Sequence, residues 1–159
     1  MHSNDTPTDD TELLQHLAVE RIAPQWADFL GLLGAELALQ LTSEELRHLL
    51  VRLGSRFAEN NPLGPCADVQ ELQAAMNRVW GVRQWGFAAV SDLGQHLQVT
   101  HRASPLPAAL QVDAEVAGGY LEGVYAVWLR AAGAPPELSL QQMAASGLPM
   151  HMVFELTAR

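Results

Sequence analysis

Six histidines, a single cysteine, four tryptophans and a scatter of carboxylates are the side chains here that could do chemistry. A metal centre would need several of the histidines on one surface. His96 and His101 stand five apart in an alternating stretch, which places them on opposite faces of a strand. They cannot share a metal without a bulge, and ordinary strand histidines are the plainer reading. His151 alternates onto the face opposite Met152. The chain holds no His-Glu-x-x-His, no pair of cysteines and no acidic calcium loop. No metal and no cofactor are expected.

Hydrolytic chemistry fares no better. Glu44 and Glu45 begin a helix, where carboxylates favour the dipole, and Asp113 and Glu115 stand where a later helix begins. A glycosidase needs two carboxylates facing across a cleft, and nothing in the pattern nominates a pair. There is no phosphate-cradling glycine loop and no nucleophile elbow. Cys66 lies in a Pro/Gly loop with no basic neighbour to lower its pKa, so a structural role is expected. Trp26, Trp80, Trp85 and Trp128 could each stack on a sugar ring. Each also lies within an apolar pattern and suits a core or a subunit contact. Trp26, whose helix borders the N-terminal tail, is the most open to a sugar. No catalytic residue is nominated, and the expectation is a protein that is not an enzyme.

The positioning elements follow from periodicity. Residues 1–12 carry Asp5, Asp9, Asp10 and Glu12 with no basic group and read as a disordered acidic tail. A short helix is expected from Glu12 to Ile22, and Pro24 suits the first turn of a second. In that second helix Trp26, Phe29, Leu30, Leu33 and Leu37 follow steps of three and four. Leu32, Ala35, Leu39 and Leu41 lie off the stripe, so the helix should be covered on two sides. Thr42 to Glu45 form a capping box and open a helix to about Glu59, with Leu46, Leu49, Leu50, Leu53 and Phe57 on one face. Asn60 to Cys66 is a loop. A second capping box, Asp68 to Glu71, opens a helix that Gly81 is placed to end. Strands are expected at 87–90, 95–101, 138–143 and 150–157, the last with Met150, Met152, Phe154 and Leu156 on one face. Ser104 to Pro107 reads as a loop, and a helix from about Val116 to Ala132 stops before Pro135 and Pro136. The order is helices, hairpin, helix, hairpin. It specifies an α+β fold of about five helices packed on an antiparallel sheet of about four strands, a single domain over 13–159.

The formal net charge is -9, and all nine basic residues are scattered arginines. Nucleic acid and anionic membrane need clustered positive charge and are excluded as partners. No apolar run approaches the roughly 18 residues of a membrane span, and the opening residues lack a secretory pattern. The cytoplasm is the expected location. The most telling segment is Gly118 to Leu129, apolar almost all round, with Glu122 as its one charge. A surface helix of a small monomer shows one apolar stripe and a polar back. Coverage on both sides, by the sheet and by another copy of the chain, is therefore expected. Tyr120, Leu121, Gly123, Val124, Tyr125 and Trp128 are the candidate oligomer interface, with Gly123 allowing close backbone approach.

From about Trp26 to the C-terminus the chain resembles the D subunit of the bacterial cellulose synthase complex. The resemblance is carried by Glu45-Leu-Arg-His-Leu-Leu-Val-Arg-Leu-Gly54, by Pro65-Cys66 followed by Asp68-Val-Gln-Glu-Leu72, and by Trp85-Gly86. Leu121-Glu-Gly-Val-Tyr125 with Trp128 and the Met-rich final strand complete it. It implies a non-catalytic accessory or scaffold subunit of crystalline cellulose production, found in biofilm formers. Such subunits form a ring-shaped homo-octamer, a tetramer of dimers, that helps align and export glucan chains. It implies as partners the other synthase subunits, a proline-rich or disordered protein of the same operon, and glucan itself. Glucan runs in passages lined by N-terminal segments of the family ring. Here the corresponding residues would be Leu13, Leu14, His16, Leu17, Arg21 and Trp26, although the acidic tail departs from the family pattern. The resemblance also leaves a periplasmic location open.

A more distant similarity is to small-ligand-binding α+β modules of the vinyl-reductase and TRAPP type. That reading requires a closed apolar pocket beneath the Gly118–Leu129 helix, and the chain lacks the paired cysteines a metal or redox version would need.

Overall fold

In a computed structural model, residues 13, 16, 17, 20, 22–145 and 150–158 are described. The acidic tail over 1–12 lies outside them. Leu13, His16, Leu17 and Glu20 are helical, within the span expected of the first helix. Five further helices and four strands follow: α1 (Pro24–Gln40), α2 (Ser43–Asn60), α3 (Val69–Arg83), β1 (Phe87–Asp92), β2 (Leu97–Arg102), α4 (Leu106–Leu110), α5 (Ala114–Ala131), β3 (Leu138–Gln142) and β4 (His151–Ala158). The fold is α+β.

The helix starts form where the capping residues stand. The Thr42 hydroxyl accepts from the Glu45 N–H, and the Glu45 carboxylate accepts from the Thr42 N–H at 2.8 Å. That reciprocal box satisfies two orphan donors of α2. At α3, Asp68 Oδ1 accepts from the Glu71 N–H, while the Glu71 carboxylate reaches back to the Ala67 N–H. Asp113 occupies the N-cap of α5 without a side-chain cap.

The strand ends shift from expectation by one or two residues, and two differences among the helices have a clear physical cause. Gly81 does not end α3. The helix runs two residues further and stops at Gln84, which adopts a left-handed φ of 55°. The Gln84 N–H bonds to the Gly81 carbonyl and the Trp85 N–H to that of Trp80, the pairing of a Schellman stop. Its accompanying apolar contact is the Trp85 ring stacked on Trp80, with centroids 6.0 Å apart. Burial of that contact, rather than glycine, sets the end. The stretch read as a loop at Ser104–Pro107 leads directly into α4, with Pro105 at its N-cap and Pro107 in its first turn. Prolines that break a helix interior are tolerated there because the first N–H groups have no helical partner.

The sheet is antiparallel throughout, in the order β1-β2-β4-β3. Two hairpins are therefore joined along β2 and β4, with Val99 opposite Phe154 and His101 opposite Met152. Ala88, Val90, Val99, His101, Leu140, Met152, Phe154 and Leu156 are buried on the inner face. Met150, expected among them, precedes the strand in a turn with positive φ. The main core lies between this face and α5, with Trp80, Met76 and Trp128 at its centre. A smaller cluster of Leu46, Leu50 and Leu110 joins α2 to α1 and α4.

Helix side chains occupy backbone groups on both edges of the sheet. At β1, the Asn77 amide donates to the Ala88 carbonyl at 2.8 Å and accepts from the Ala88 N–H at 2.7 Å. Gln73 accepts from the Val90 N–H at 2.8 Å. At β3, Glu122 accepts from the Gln142 N–H, and Arg130 donates to the Leu138 carbonyl. Edge groups occupied in this way are poor templates for another strand.

Candidate functional site

The apolar helix α5 is enclosed by its own chain. Leu121, Val124 and Tyr125 are wholly buried, and Gly123 and Trp128 are buried beside them. Tyr120 is half-buried between the two cores. The sheet covers one side of α5, and α2 covers the other. The cover is close because glycines line the seam. A Cβ on Gly123 would lie 2.1 Å from the Val51 carbonyl oxygen, and one on Gly54 would lie 1.9 Å from that of Tyr120. Gly119 meets Arg47 in the same seam. The close approach expected of Gly123 thus occurs within one molecule. Within one chain, the surface expected to face another copy lies against α2 and the sheet. An apolar helix between two layers needs no partner chain, and α2 supplies the second layer.

The one charge of α5 is held in the same seam. Arg47 of α2 forms a two-pronged pair with Glu122, at 2.6 and 3.2 Å. Arg47 and Gln142 both meet α5 over its glycines, and a Cβ on Gly118 would collide with the Gln142 amide. The group ties α2, α5 and β3 together. Its Arg47 and Gln142 side chains line a surface cleft of about 380 Å³, together with Glu115, Met143 and His151.

At the sheet side of α5 lies a hydrogen-bonded chain that sequence reasoning missed. Trp80 Nε1 donates to the Tyr125 hydroxyl at 3.1 Å. The Tyr125 hydroxyl meets His101 Nδ1, and His101 Nε2 meets the Trp85 carbonyl at 2.8 Å. An indole only donates and a carbonyl only accepts. The proton of His101 therefore sits on Nε2, and Tyr125 donates to Nδ1. Burial drives the imidazole pKa down from 6.5 to about 4, against the Trp85 carbonyl bond, which favours the charged form. Burial likewise pushes the Tyr125 hydroxyl far above its usual value. With every polar atom paired inside a shell of Trp80, Trp85, Trp128 and Phe154, the chain fixes the core. It offers no open position to a substrate. His96 lies on the other face of the sheet near Glu155, so the two histidines do fall on opposite faces.

Three of the tryptophans are core or near-core groups. Trp26 is exposed on α1, in edge-on contact with Phe29. Of the other residues placed in a glucan passage, Leu13, His16 and Leu17 are helical and exposed. Leu14 and Arg21 lie outside the described residues. His16 is within 3.3 Å of Glu20, one turn away.

Helix α1, expected to be covered on two sides, is covered on one. It docks on α4 through Gly31 and Gly34, where a Cβ on Gly34 would sit 1.9 Å from the Leu110 carbonyl oxygen. Leu30 and Leu37 pack into the smaller core. The rest of the helix, Trp26, Phe29, Leu32, Leu33 and Leu39, faces water. Among the described residues no helix is long and apolar enough to cross a membrane, and no three His, Cys, Asp or Glu side chains cluster as a metal site. The clefts that flank the end of α5 open on the surface beside the Pro62–Ala67 loop. The space beneath the helix is filled by Tyr125, Phe154 and Trp80.

A search of curated proteins finds no match. The family model for the D subunit of cellulose synthase matches residues 12–155, which takes in every helix and strand described above but the last three residues of β4. The chain belongs to the cellulose synthase D-subunit family.

Proposed function

We propose that this chain is a non-catalytic accessory subunit of a bacterial cellulose synthase complex, and that it works as a ring-shaped homo-oligomer promoting the alignment, export and crystallinity of glucan chains. The observation that carries the reading is the water-facing apolar side of α1, in a family member whose buried polar side chains, among the described residues, are all hydrogen-bonded. Its role is geometric. Repeated equivalent positions on a closed assembly hold glucan chains or synthase modules at fixed separation, and fixed separation lowers the entropy cost of parallel packing. The N-terminal segment with Leu13, His16, Leu17 and Trp26 is the proposed glucan contact, and a proline-rich or disordered operon protein the proposed bridge between rings. Residues 1–12 act as a solvated acidic tail outside one folded domain. The proposed location is the cytoplasm.

Deletion of the gene tests the role. Fibre order, read by X-ray diffraction of the secreted cellulose, should fall. Membranes from the same strain should still polymerise glucose at the parental rate. Loss of polymerisation by those membranes, or unchanged fibre order, would overturn it.

A further inference from the structure

The cleft of about 380 Å³ lies between α2, the start of α5, the end of β3 and the start of β4. Its volume is at the small end of the roughly 300–1,000 Å³ of small-molecule sites, room for one or two sugar rings. Arg47 stands in its wall, 24% exposed and locked on Glu122. Three of its N–H groups are committed, two to Glu122 and one to Gln142 Oε1 at 3.4 Å. A guanidinium has more to give. Gln142 is fixed in turn. Its backbone N–H bonds to Glu122 at 2.8 Å, and its amide gives one N–H to the Ala114 carbonyl at 3.2 Å and keeps the other. Glu115 is exposed and His151 half-buried, and neither side chain bonds to another described residue. Met143 and Met152 supply apolar surface.

We propose that this cleft binds an uncharged saccharide, a short stretch of glucan held by Arg47, Gln142, Glu115 and His151 with a ring face against Met143. The inference rests on the glucan-handling role proposed above and adds a contact apart from the N-terminal segment.

The uncommitted groups are of both hydrogen-bonding kinds. Arg47 and Gln142 have N–H groups left to donate, the Glu115 carboxylate accepts, and a neutral imidazole does each with one nitrogen. Burial and the Arg102 charge hold His151 below its usual pKa, so the neutral imidazole is the form present at pH 7. A hydroxyl donates and accepts through one oxygen, so neighbouring hydroxyls of a sugar ring satisfy both kinds together. Charge disfavours ions. The Arg47 charge is already met by Glu122, which leaves an anion to face Glu115 on a chain of net charge -9. A cation would meet Arg47, and Arg102 opposite His151 in the sheet. A purely apolar ligand would strip water from the donors and return no bond for it. Arg47 and Gln142 are also held in place before any ligand arrives, so binding costs little side-chain ordering.

The test is titration of the full chain, labelled with 13C at its methionine methyls, with cellobiose and cellotetraose. The Met143 and Met152 signals should shift and saturate, while the signal of Met76, wholly buried in the core, stays still. Glu115→Ala should weaken binding by about tenfold or more, the worth of a hydrogen bond to a charged group. Its far-UV circular dichroism and urea midpoint should stay near the parent's, because Glu115 is exposed. Met143→Asp should weaken binding as well. Trp26→Ala should leave the Met143 shift unchanged. Glucuronate and protonated glucosamine, the same ring bearing a charge, should bind more weakly than cellobiose. The inference is overturned if the Met143 and Met152 signals do not move, if Glu115→Ala binds as tightly as the parent, or if either charged sugar matches cellobiose. Maltose binding as tightly as cellobiose would overturn glucan as the occupant. Each of these results leaves the accessory role standing where deletion of the gene still lowers fibre order, and unchanged fibre order overturns that role whatever the titration shows.

Discussion

The indole N–H of Trp80 donates to the Tyr125 hydroxyl at 3.1 Å, so the last turn of α3 is bonded to the middle of α5 through the core. Tyr125 passes the bond on to His101. Tyr125→Phe keeps the ring and deletes the relay, leaving a buried donor on Trp80 and a buried acceptor on His101. Each orphaned group costs about 1–3 kcal/mol. A loss of roughly 2–4 kcal/mol in urea unfolding is expected, with unchanged oligomer mass. Trp80→Phe combined with Tyr125→Phe should cost less than the two single losses added, since the pair then disappears together.

His101 makes stability depend on pH. Its folded pKa of about 4 lies below the ordinary 6.5, so between those values the unfolded chain binds the extra proton. Stability is then full above pH 6.5 and falls as pH drops toward 4. The span corresponds to about 3 kcal/mol. The physical event is loss of the Nδ1 acceptor, which strands the Tyr125 proton. Burial and the Arg102 charge also hold His151 low, so His151→Asn is made in both backgrounds. His101→Gln in that background should flatten the slope of unfolding free energy between pH 6.5 and 5. A slope unchanged by the substitution would remove His101 as its source.

Local chemistry was legible along most of the chain. The capping boxes at Thr42 and Asp68, the loop around Cys66 and the alternation of Met152, Phe154 and Leu156 each depend on neighbours a few residues away. What covers an all-apolar helix was not legible, because periodicity records that α5 has two buried sides and not which chain buries them. The outer side of α1 illustrates the converse. The sequence shows its apolar residues, but only the packing of Gly31 and Gly34 on α4 reveals that this side is not used within the molecule. His101 was passed over because its partners, Trp85 and Tyr125, are 16 and 24 residues away, and no local pattern announces them.

Glycines of similar helical context should respond in opposite ways. Gly81 lies inside α3 with nothing within 4 Å of a Cβ, so Gly81→Ala should gain about 0.5–1 kcal/mol through helix propensity. Gly123→Ala places a methyl 2.1 Å from the Val51 carbonyl oxygen and 3.0 Å from the Ser55 nitrogen. The backbone cannot yield there without separating α2 from α5, and a loss of about 3 kcal/mol or failure to fold is expected. Paired thermal melts of the two variants check the contrast, and a tolerated Gly123→Ala would refute the close seam.

Asn77 should prove to be an edge guard as well as a stabiliser. Its amide gives Ala88 both bonds that a neighbouring strand would give. Asn77→Ala therefore costs the two bonds, about 1–3 kcal/mol, and leaves β1 with a free N–H and carbonyl beside exposed Phe87. Unpaired edges of this kind add strands from other molecules. The variant should form thioflavin-positive aggregates under mild heating, where an equally destabilised variant such as Tyr125→Phe stays soluble. Equal aggregation of the two at matched stability would reduce Asn77 to an ordinary stabilising contact. A difference would show that the helix face over β1 keeps other strands off that edge.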